Sequence, residues 1–387
     1  MLKIQTLNNI SVAGLERFAR DRYEVASELA RPDAIMVRSA NMHDMDVPDS
    51  VLAVGRAGAG VNNIPVPTLS ARGVPVFNAP GANANAVKEL VLAGLFLASR
   101  NLCDAWAFAK QLDGSDAEIS RAVEAGKKNF VGVELPGRVI GILGLGAIGV
   151  KVANAAHALG MRVTGYDPKI TVDRAWQLSS AVTPAASVGQ VLAESDYVSV
   201  HVPLIESTRG LLGRERLASM HKGAVLLNFS RAEIVDEDAV VAALKSGHLG
   251  AYVCDFPSNQ LLSCDNVIAL PHLGASTRQA EENCAVMVAD QLRAYLEDGN
   301  ITNSVNFPDL HMPRDGNQRL ALVHANVPNM LGQISTCVAQ ANLNIVDMLN
   351  KSREDLAYTV LDVDSPVNED IRGLLGGIEG VLGVRVL

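Results

Sequence analysis

Short β-branched runs separated by turn residues open the chain: Lys3 to Leu7, Ala34 to Val37, Val51 to Val54 and Val74 to Phe77. Helical patterns fall between them, and that alternation predicts one parallel sheet. Apolar positions then recur at helical spacing from about Asn85 to Ser99, which predicts a long bridging helix, and a more polar stretch follows to Phe130. A second α/β series begins at Val139. Its apolar runs are Val139 to Leu143, Arg162 to Tyr166, Tyr197 to His201, Ala224 to Phe229, Gly250 to Cys254 and Val267 to Leu270, which predict a doubly wound dinucleotide fold. A long amphipathic helix is expected over Ser276 to Leu296, and Asn300 to Gly316, rich in Pro, Asn and Asp, reads as a linker.

A third unit starts near Asn317. It alternates a strand (Leu320 to Asn326), a helix (Met330 to Ala341), two strands (Asn344 to Lys351 and Ala357 to Val363), a helix (Asn368 to Ile378) and a strand (Val381 to Leu387). That βαββαβ order predicts a ferredoxin-like α+β sandwich. The expected class is therefore α/β: two doubly wound, Rossmann-like or flavodoxin-like parallel-sheet domains with an α+β domain behind them.

Composition narrows the partners. A chain of 387 residues with 48% apolar and 19% charged residues suits two or three soluble domains. The net charge of -9 argues against a nucleic-acid partner, leaving room for a local basic pocket that takes one small anion. Met1 to Ser11 has no long apolar run behind it, and Ala84 to Ala98 is broken by Lys88 and Glu89. Neither a signal peptide nor a membrane span is expected, and a cytoplasmic location is. Five cysteines without CxxC spacing are expected to be free, buried thiols, and no metal site is expected.

Chemistry concentrates after the strands of the second series. Gly144, Gly146 and Gly149 form GxGxxG after Val139 to Leu143 and at the head of a helical pattern containing Ala147 and Ile148. Glycine lets the backbone turn tightly and approach a pyrophosphate at the helix amino end. Asp167 ends the next strand, eighteen residues beyond Gly149, where a carboxylate accepts ribose hydroxyls and repels a 2′-phosphate. NAD is the expected cofactor; the plainer role for Asp167 is a surface turn before Pro168. Arg231, Asp255 and His272 each follow a later strand. Arg231 suits a carboxylate, and His272 suits the proton of a secondary alcohol undergoing hydride transfer. Singly, each could be a surface salt-bridge or capping residue; their joint placement on one crevice favours catalysis.

The motifs GLGAIG, HVPLIESTRGL (His201 to Leu211), NFSRAEIVDE (Asn228 to Glu237) and NVIALPHLGAST (Asn266 to Thr277) resemble the D-2-hydroxyacid dehydrogenase family in order and spacing. VRSANMHDM, GRAGAGVNNI and NAPGANANAVKELVLAG resemble its branch that oxidises 3-phospho-D-glycerate, and the last unit looks like the ACT domain that often follows there. The resemblance implies that His272 takes the C2 hydroxyl proton, Arg231 orients the substrate carboxylate and Asp255 binds the nicotinamide carboxamide. It places Gly274, His201, Pro203 and Thr208 around the cofactor. Arg38 and Arg56 become candidate phosphate ligands, with ordinary surface arginines as the plainer reading. It also implies a discontinuous substrate domain (1–100 and 285–313), an NAD domain (101–284) and a regulatory domain (317–387), in a homodimer or homotetramer.

One departure stands out. The family usually places Glu five residues after the Asp, paired with the histidine, and here that position is Gln260; shifting the alignment by one gives Asn259. Gln260 is expected to orient the imidazole without supplying charge, an arrangement resembling NAD-dependent formate dehydrogenase. His324, Asn326 and Asn344 match the positions with which such ACT domains bind L-serine, implying feedback inhibition; a purely oligomerising sheet is the plainer role. Two further functions fit the same motifs: a dehydrogenase for another 2-hydroxyacid, including 2-oxoglutarate reduction, and a non-catalytic NAD-sensing scaffold or corepressor.

Overall fold

The computed structural model describes residues 1–314, 318–367 and 369–387. Two compact units emerge: Met1–Asn83 with Arg278–Leu387, and Ala84–Thr277. The expected starts at Asn317 and Asn368, and the linker's end at Asp315 and Gly316, lie outside the described residues.

In the first unit, β1 (Leu2–Leu7), β2 (Tyr23–Ala26), β3 (Ala34–Val37), β4 (Ala53–Arg56) and β5 (Val76–Phe77) form a parallel sheet in the order β2-β1-β3-β4-β5. This is the flavodoxin-like order. Val37 pairs with Arg56, so Arg38 and Arg56 leave the sheet at one carboxyl edge. The helix Arg278–Asp298 packs very closely here, because a Cβ on Gly55 would lie 2.5 Å from Val288 and one on Gly14 2.6 Å from Ala285.

The same unit carries β13 (Gln318–Ala325), β14 (Ile345–Arg353), β15 (Leu356–Val363) and β16 (Val381–Val386), antiparallel in the order β14-β15-β13-β16. Strand periodicity explains its two faces. Leu320 and Leu322 pack with Met330, Ile334 and Leu375 of its own helices, whereas Ala321, Val323, Tyr358 and Val360 join Tyr295, Leu296 and Phe307 beside the first sheet. Arg319, fully buried, seals that junction: it meets Asp362 through two bonds of 2.7 and 2.8 Å and donates to the carbonyls of Asp298, Met312 and Pro313.

In the second unit, β6 (Val139–Leu143), β7 (Arg162–Tyr166), β8 (Thr183–Pro184), β9 (Tyr197–Val200), β10 (Ala224–Asn228), β11 (Leu249–Cys254) and β12 (Val267–Ala269) form a parallel sheet ordered β12-β11-β10-β9-β6-β7-β8. Strands β9 and β10 are buried along their whole length, as a sheet covered on both faces requires. The order reverses between β6 and β9, which opens a crevice at the carboxyl ends.

The sequence reading missed β2 and β8, short strands at the sheet edges, and the helices Leu102–Lys110 and Asp116–Gly126 in the polar stretch. All five cysteines are free, but only Cys254 and Cys284 are buried as expected; Cys264 and Cys337 are half-buried, and Cys103 is exposed on the helix Leu102–Lys110, which contains no buried residue. Among the described residues no single helix is long and apolar enough to cross a membrane.

Candidate active site

Six strand ends of the second unit converge on the switch-point crevice. Gly144 follows β6, Asp167 β7, His201 β9, Arg231 β10, Asp255 β11 and His272 β12, and the ladder aligns Asn228 with Cys254 and Cys254 with Ala269. The glycine loop shows why each glycine is needed. Gly144 has φ +92°, and a Cβ there would lie 2.6 Å from the His201 carbonyl; one on Gly149 would lie 1.9 Å from the Gly144 carbonyl. A Cβ on Gly146 would meet nothing within 4 Å. Two glycines therefore close the turn, and the third keeps the amino end of the helix Ala147–Ala158, with Ala147 and Ile148 in its first turn, open to an anion.

Asp167 is bound into the same loop: its carboxylate accepts from Leu145 N and Lys169 N, both at 2.8 Å. It is half-buried beside the turn, where lone pairs left over suit ribose hydroxyls. Thr208 Oγ1 donates to Pro203 O at 2.5 Å and accepts from Ile205 N at 2.9 Å, folding the loop after β9. His201 Nε2 meets Ser199 Oγ at 2.8 Å, while its Nδ1 is buried without a partner. Burial pushes its pKa down to about 3, so this ring is neutral at physiological pH.

Arg231 is exposed, and its Nη1 donates to Ser230 O at 2.6 Å. A network that the sequence reading missed holds its loop: buried Asn228 donates to Arg231 O at 2.9 Å and accepts from Ser230 N at 3.1 Å, and Ser230 Oγ donates to Val202 O at 2.6 Å. The only trace in the sequence is Asn228 at the start of NFSRAEIVDE.

Asp255 serves first as a clamp. It is 1% exposed, and its two oxygens accept from Leu273 N and Gly274 N, each at 2.7 Å. Those are the residues next after His272, whose backbone is left-handed at φ +56°. Such a conformation is costly for a non-glycine residue and persists only where neighbours hold it. The clamp presents the exposed imidazole, edge-on to Phe256 with ring centroids 5.3 Å apart. The expected partner is elsewhere: Gln260 Nε2 donates to Asp238 Oδ1 at 2.9 Å, because the short helix Asn259–Leu262 turns the amide toward that carboxylate. Among the described residues the His272 ring has no hydrogen-bond partner, so Gln260 does not orient it as expected.

In the first unit, Arg56 donates to the carbonyls of Arg38 (3.0 Å) and Gly60, while Arg38 Nη2 meets Glu281 Oε1 at 2.5 Å. The Glu281 contact joins residues 243 apart and has no local signature. In the last sheet, His324 is buried, with Nδ1 against Ala325 O and Nε2 against Thr359 Oγ1, both at 2.8 Å. Burial lowers its pKa, so Nδ1–H donates and Nε2 accepts. Asn326 and Asn344 are exposed.

With this geometry in place, known proteins are informative. The NAD binding domain of the D-isomer specific 2-hydroxyacid dehydrogenases matches residues 102–274. D-3-phosphoglycerate dehydrogenase of Haemophilus influenzae is 35% identical over 350 residues, covering 87% of this chain and 81% of the relative. The Escherichia coli K12 protein of the same name is 32% identical, covering 88% and 82%. The crystal structure of an NAD+-bound 3-phosphoglycerate dehydrogenase from Entamoeba histolytica shares the fold, with a TM-score of 0.60 at 23% identity over 80% of this chain and 99% of that one.

Proposed function

This chain belongs to the D-3-phosphoglycerate dehydrogenases of the D-isomer-specific 2-hydroxyacid dehydrogenase family, and from that premise we propose that it oxidises 3-phospho-D-glycerate to 3-phosphohydroxypyruvate with NAD. This reaction opens the phosphorylated route to L-serine. The observation that carries the reading is the clamp of Asp255 on Leu273 and Gly274, which presents His272 at the crevice edge that also carries the glycine loop and Arg231.

NAD supplies the hydride acceptor when bound. Gly144, Gly146 and Gly149 with the head of Ala147–Ala158 would hold its pyrophosphate, and Asp167 would take the ribose hydroxyls. Arg231 pairs its planar guanidinium with the substrate carboxylate. His272 accepts the C2 hydroxyl proton as a general base. Arg38 and Arg56 supply cations for the phosphate.

A second reading draws on Glu281. With Arg38 already paired to a carboxylate, the positive charge offered to a phosphate falls, which favours an unphosphorylated 2-hydroxyacid. A non-catalytic scaffold is disfavoured by the exposed Arg231 and His272.

L-serine is the effector this reading carries with it, acting at the last sheet as a regulatory domain. Asn326 follows the end of β13 that pairs with Leu356, whereas Asn344 precedes Ile345, which pairs with Val363. Seven strand steps separate those ends, about 23 Å. One serine therefore touches both only across two copies of the chain. Exposed Leu102, Trp106, Val131 and Val133 add an apolar surface suited to self-association. The test is NAD reduction with 3-phosphoglycerate, glycerate, lactate and 2-hydroxyglutarate, each with and without serine. Turnover preferring 3-phosphoglycerate and falling with serine supports the full reading; preference for an unphosphorylated acid selects the second.

A further inference from the structure

Within the first unit, a cavity of about 400 Å³ opens where the hairpin β14–β15 meets the segment after the helix Arg278–Asp298; Asn78, Pro80, Asn303, Phe307, Asp309 and Arg353 are among its lining. A volume of this order suits a small molecule. The wall is as much apolar as polar, and it carries one cation, Arg353, and one anion, Asp309.

Among the described residues no ion pair within 4 Å joins Arg353 and Asp309, although both are exposed and line one cavity. Each is held by a separate anchor. Asp309 Oδ1 accepts from Asn303 N at 2.7 Å, at a residue whose φ is +57°. Arg353 Nη1 donates to Ser304 O at 3.0 Å and Phe307 O at 3.5 Å. These anchors leave Asp309 Oδ2 on one side and Arg353 Nε and Nη2 on the other.

We propose that this cavity is an effector site for a small zwitterion, an α-amino acid whose carboxylate pairs with Arg353 and whose ammonium meets Asp309, with the Asn78 and Asn303 amides receiving a polar side chain. A guanidinium edge matches a carboxylate through two parallel bonds. A lone anion would gain Arg353 and be repelled by Asp309, and a lone cation the reverse, so the pair selects a molecule bearing both charges.

The site is wired to the substrate side of the same sheet. Asn78 Nδ2 donates to Ala59 O, Ala79 N donates to Gly58 O at 2.9 Å, and Arg56 Nη1 donates to Gly60 O. A ligand that tightens Asn78 therefore stiffens the loop that carries Arg56. The site differs from the His324, Asn326 and Asn344 positions: His324 is buried with both ring nitrogens engaged, and Asn344 sits at the far end of the sheet.

Calorimetric titration of the full chain measures binding directly and so does not depend on the reaction assigned above. Probes are L-serine, glycine and the other common amino acids, with N-acetyl-L-serine, L-serine methyl ester and inorganic phosphate as controls. At least one free amino acid is expected to bind, and its N-acetyl and ester forms at least about tenfold more weakly. Measured in the Asn344→Ala background, which removes serine binding at the last sheet, Arg353→Gln and Asp309→Asn should each cost about tenfold or more. Should Arg353→Gln fail to fold, Asp309→Asn carries the test, because it preserves the acceptor for Asn303 N and both Arg353 anchors. Absence of binding at concentrations on the order of 10 mM overturns the proposal. So does binding that, in that background, survives Arg353→Gln and Asp309→Asn, or that phosphate alone reproduces.

Discussion

Replacing Asp255 by Asn probes the clamp beneath the proposed base while keeping shape and volume. The wild-type carboxylate is buried and accepts two backbone N–H bonds of 2.7 Å. Asn offers one oxygen, and its amide must point N–H against N–H at the other position. One charge-assisted bond, roughly 1.5–3 kcal/mol, is lost, and the survivor weakens to a neutral bond of about 1 kcal/mol. The left-handed backbone at His272, costing about 1–2 kcal/mol in a non-glycine residue, then relaxes and recovers part of that loss. We expect a net loss of about 2–3 kcal/mol in denaturant unfolding. If about 2 kcal/mol of it falls on the ordered loop, its ordering equilibrium constant drops roughly 30-fold, which sets the largest fall expected in kcat/KM with 3-phosphoglycerate. Urea titration and steady-state kinetics measure the two quantities, and hydrogen exchange at Leu273 and Gly274 localises the change. A stability loss below about 0.5 kcal/mol, with kcat/KM within about threefold of wild type, would refute the clamp.

The glycine loop gives a paired prediction: Gly146→Ala leaves the unliganded protein within about 0.5 kcal/mol of wild type but weakens NAD binding roughly tenfold or more. Gly149→Ala drives a Cβ into the Gly144 carbonyl and costs about 1–3 kcal/mol without ligand; equal melting of the two variants contradicts the loop's division of labour. For His201, the folded pKa of about 3 lies below the unfolded value near 6.5, so the unfolded chain binds the extra proton and stability is lost as pH falls from about 6.5 toward 3. His201→Gln removes this dependence, and the gap between variant and wild type should change in the variant's favour by about 2 kcal/mol between pH 7 and pH 5; a constant gap would falsify the assignment. Arg319→Ala strands Asp362 and should cost roughly 3–5 kcal/mol, most of it recovered on pairing Arg319→Met with Asp362→Leu; a loss below about 1 kcal/mol would show that the ion pair does not hold the last sheet in place.

Much of this architecture was legible because burial on both faces imposes long β-branched runs, as in β9 and β10, and because a dinucleotide turn demands glycine where a Cβ has no room. Edge strands escape the same test: β8 spans two residues and β2 pairs only with β1. The site residues were legible as positions after strands, since the strand end fixes where a chain enters the crevice. Their partners were not. Gln260 occupies the position expected to face the histidine, yet side-chain direction depends on the Asp238 carboxylate brought alongside by tertiary packing. The sequence points to Asp255 as a cofactor ligand, while the backbone N–H groups from which it accepts carry no side-chain signature. Glu281 on Arg38 belongs to the same class of long-range contact.

Whether His272 and Arg231 act on a phosphorylated 2-hydroxyacid with NAD is decided by NADH absorbance on adding 3-phospho-D-glycerate to wild type and His272→Asn. Asn tolerates the left-handed backbone at that position, so the loop geometry is kept and only the base is removed. The wild type is expected to form NADH in a 3-phosphoglycerate-dependent way, and the variant to do so about 10²–10⁴-fold more slowly. Folded wild type that forms no NADH with this substrate, or a variant as fast as the wild type, would contradict it.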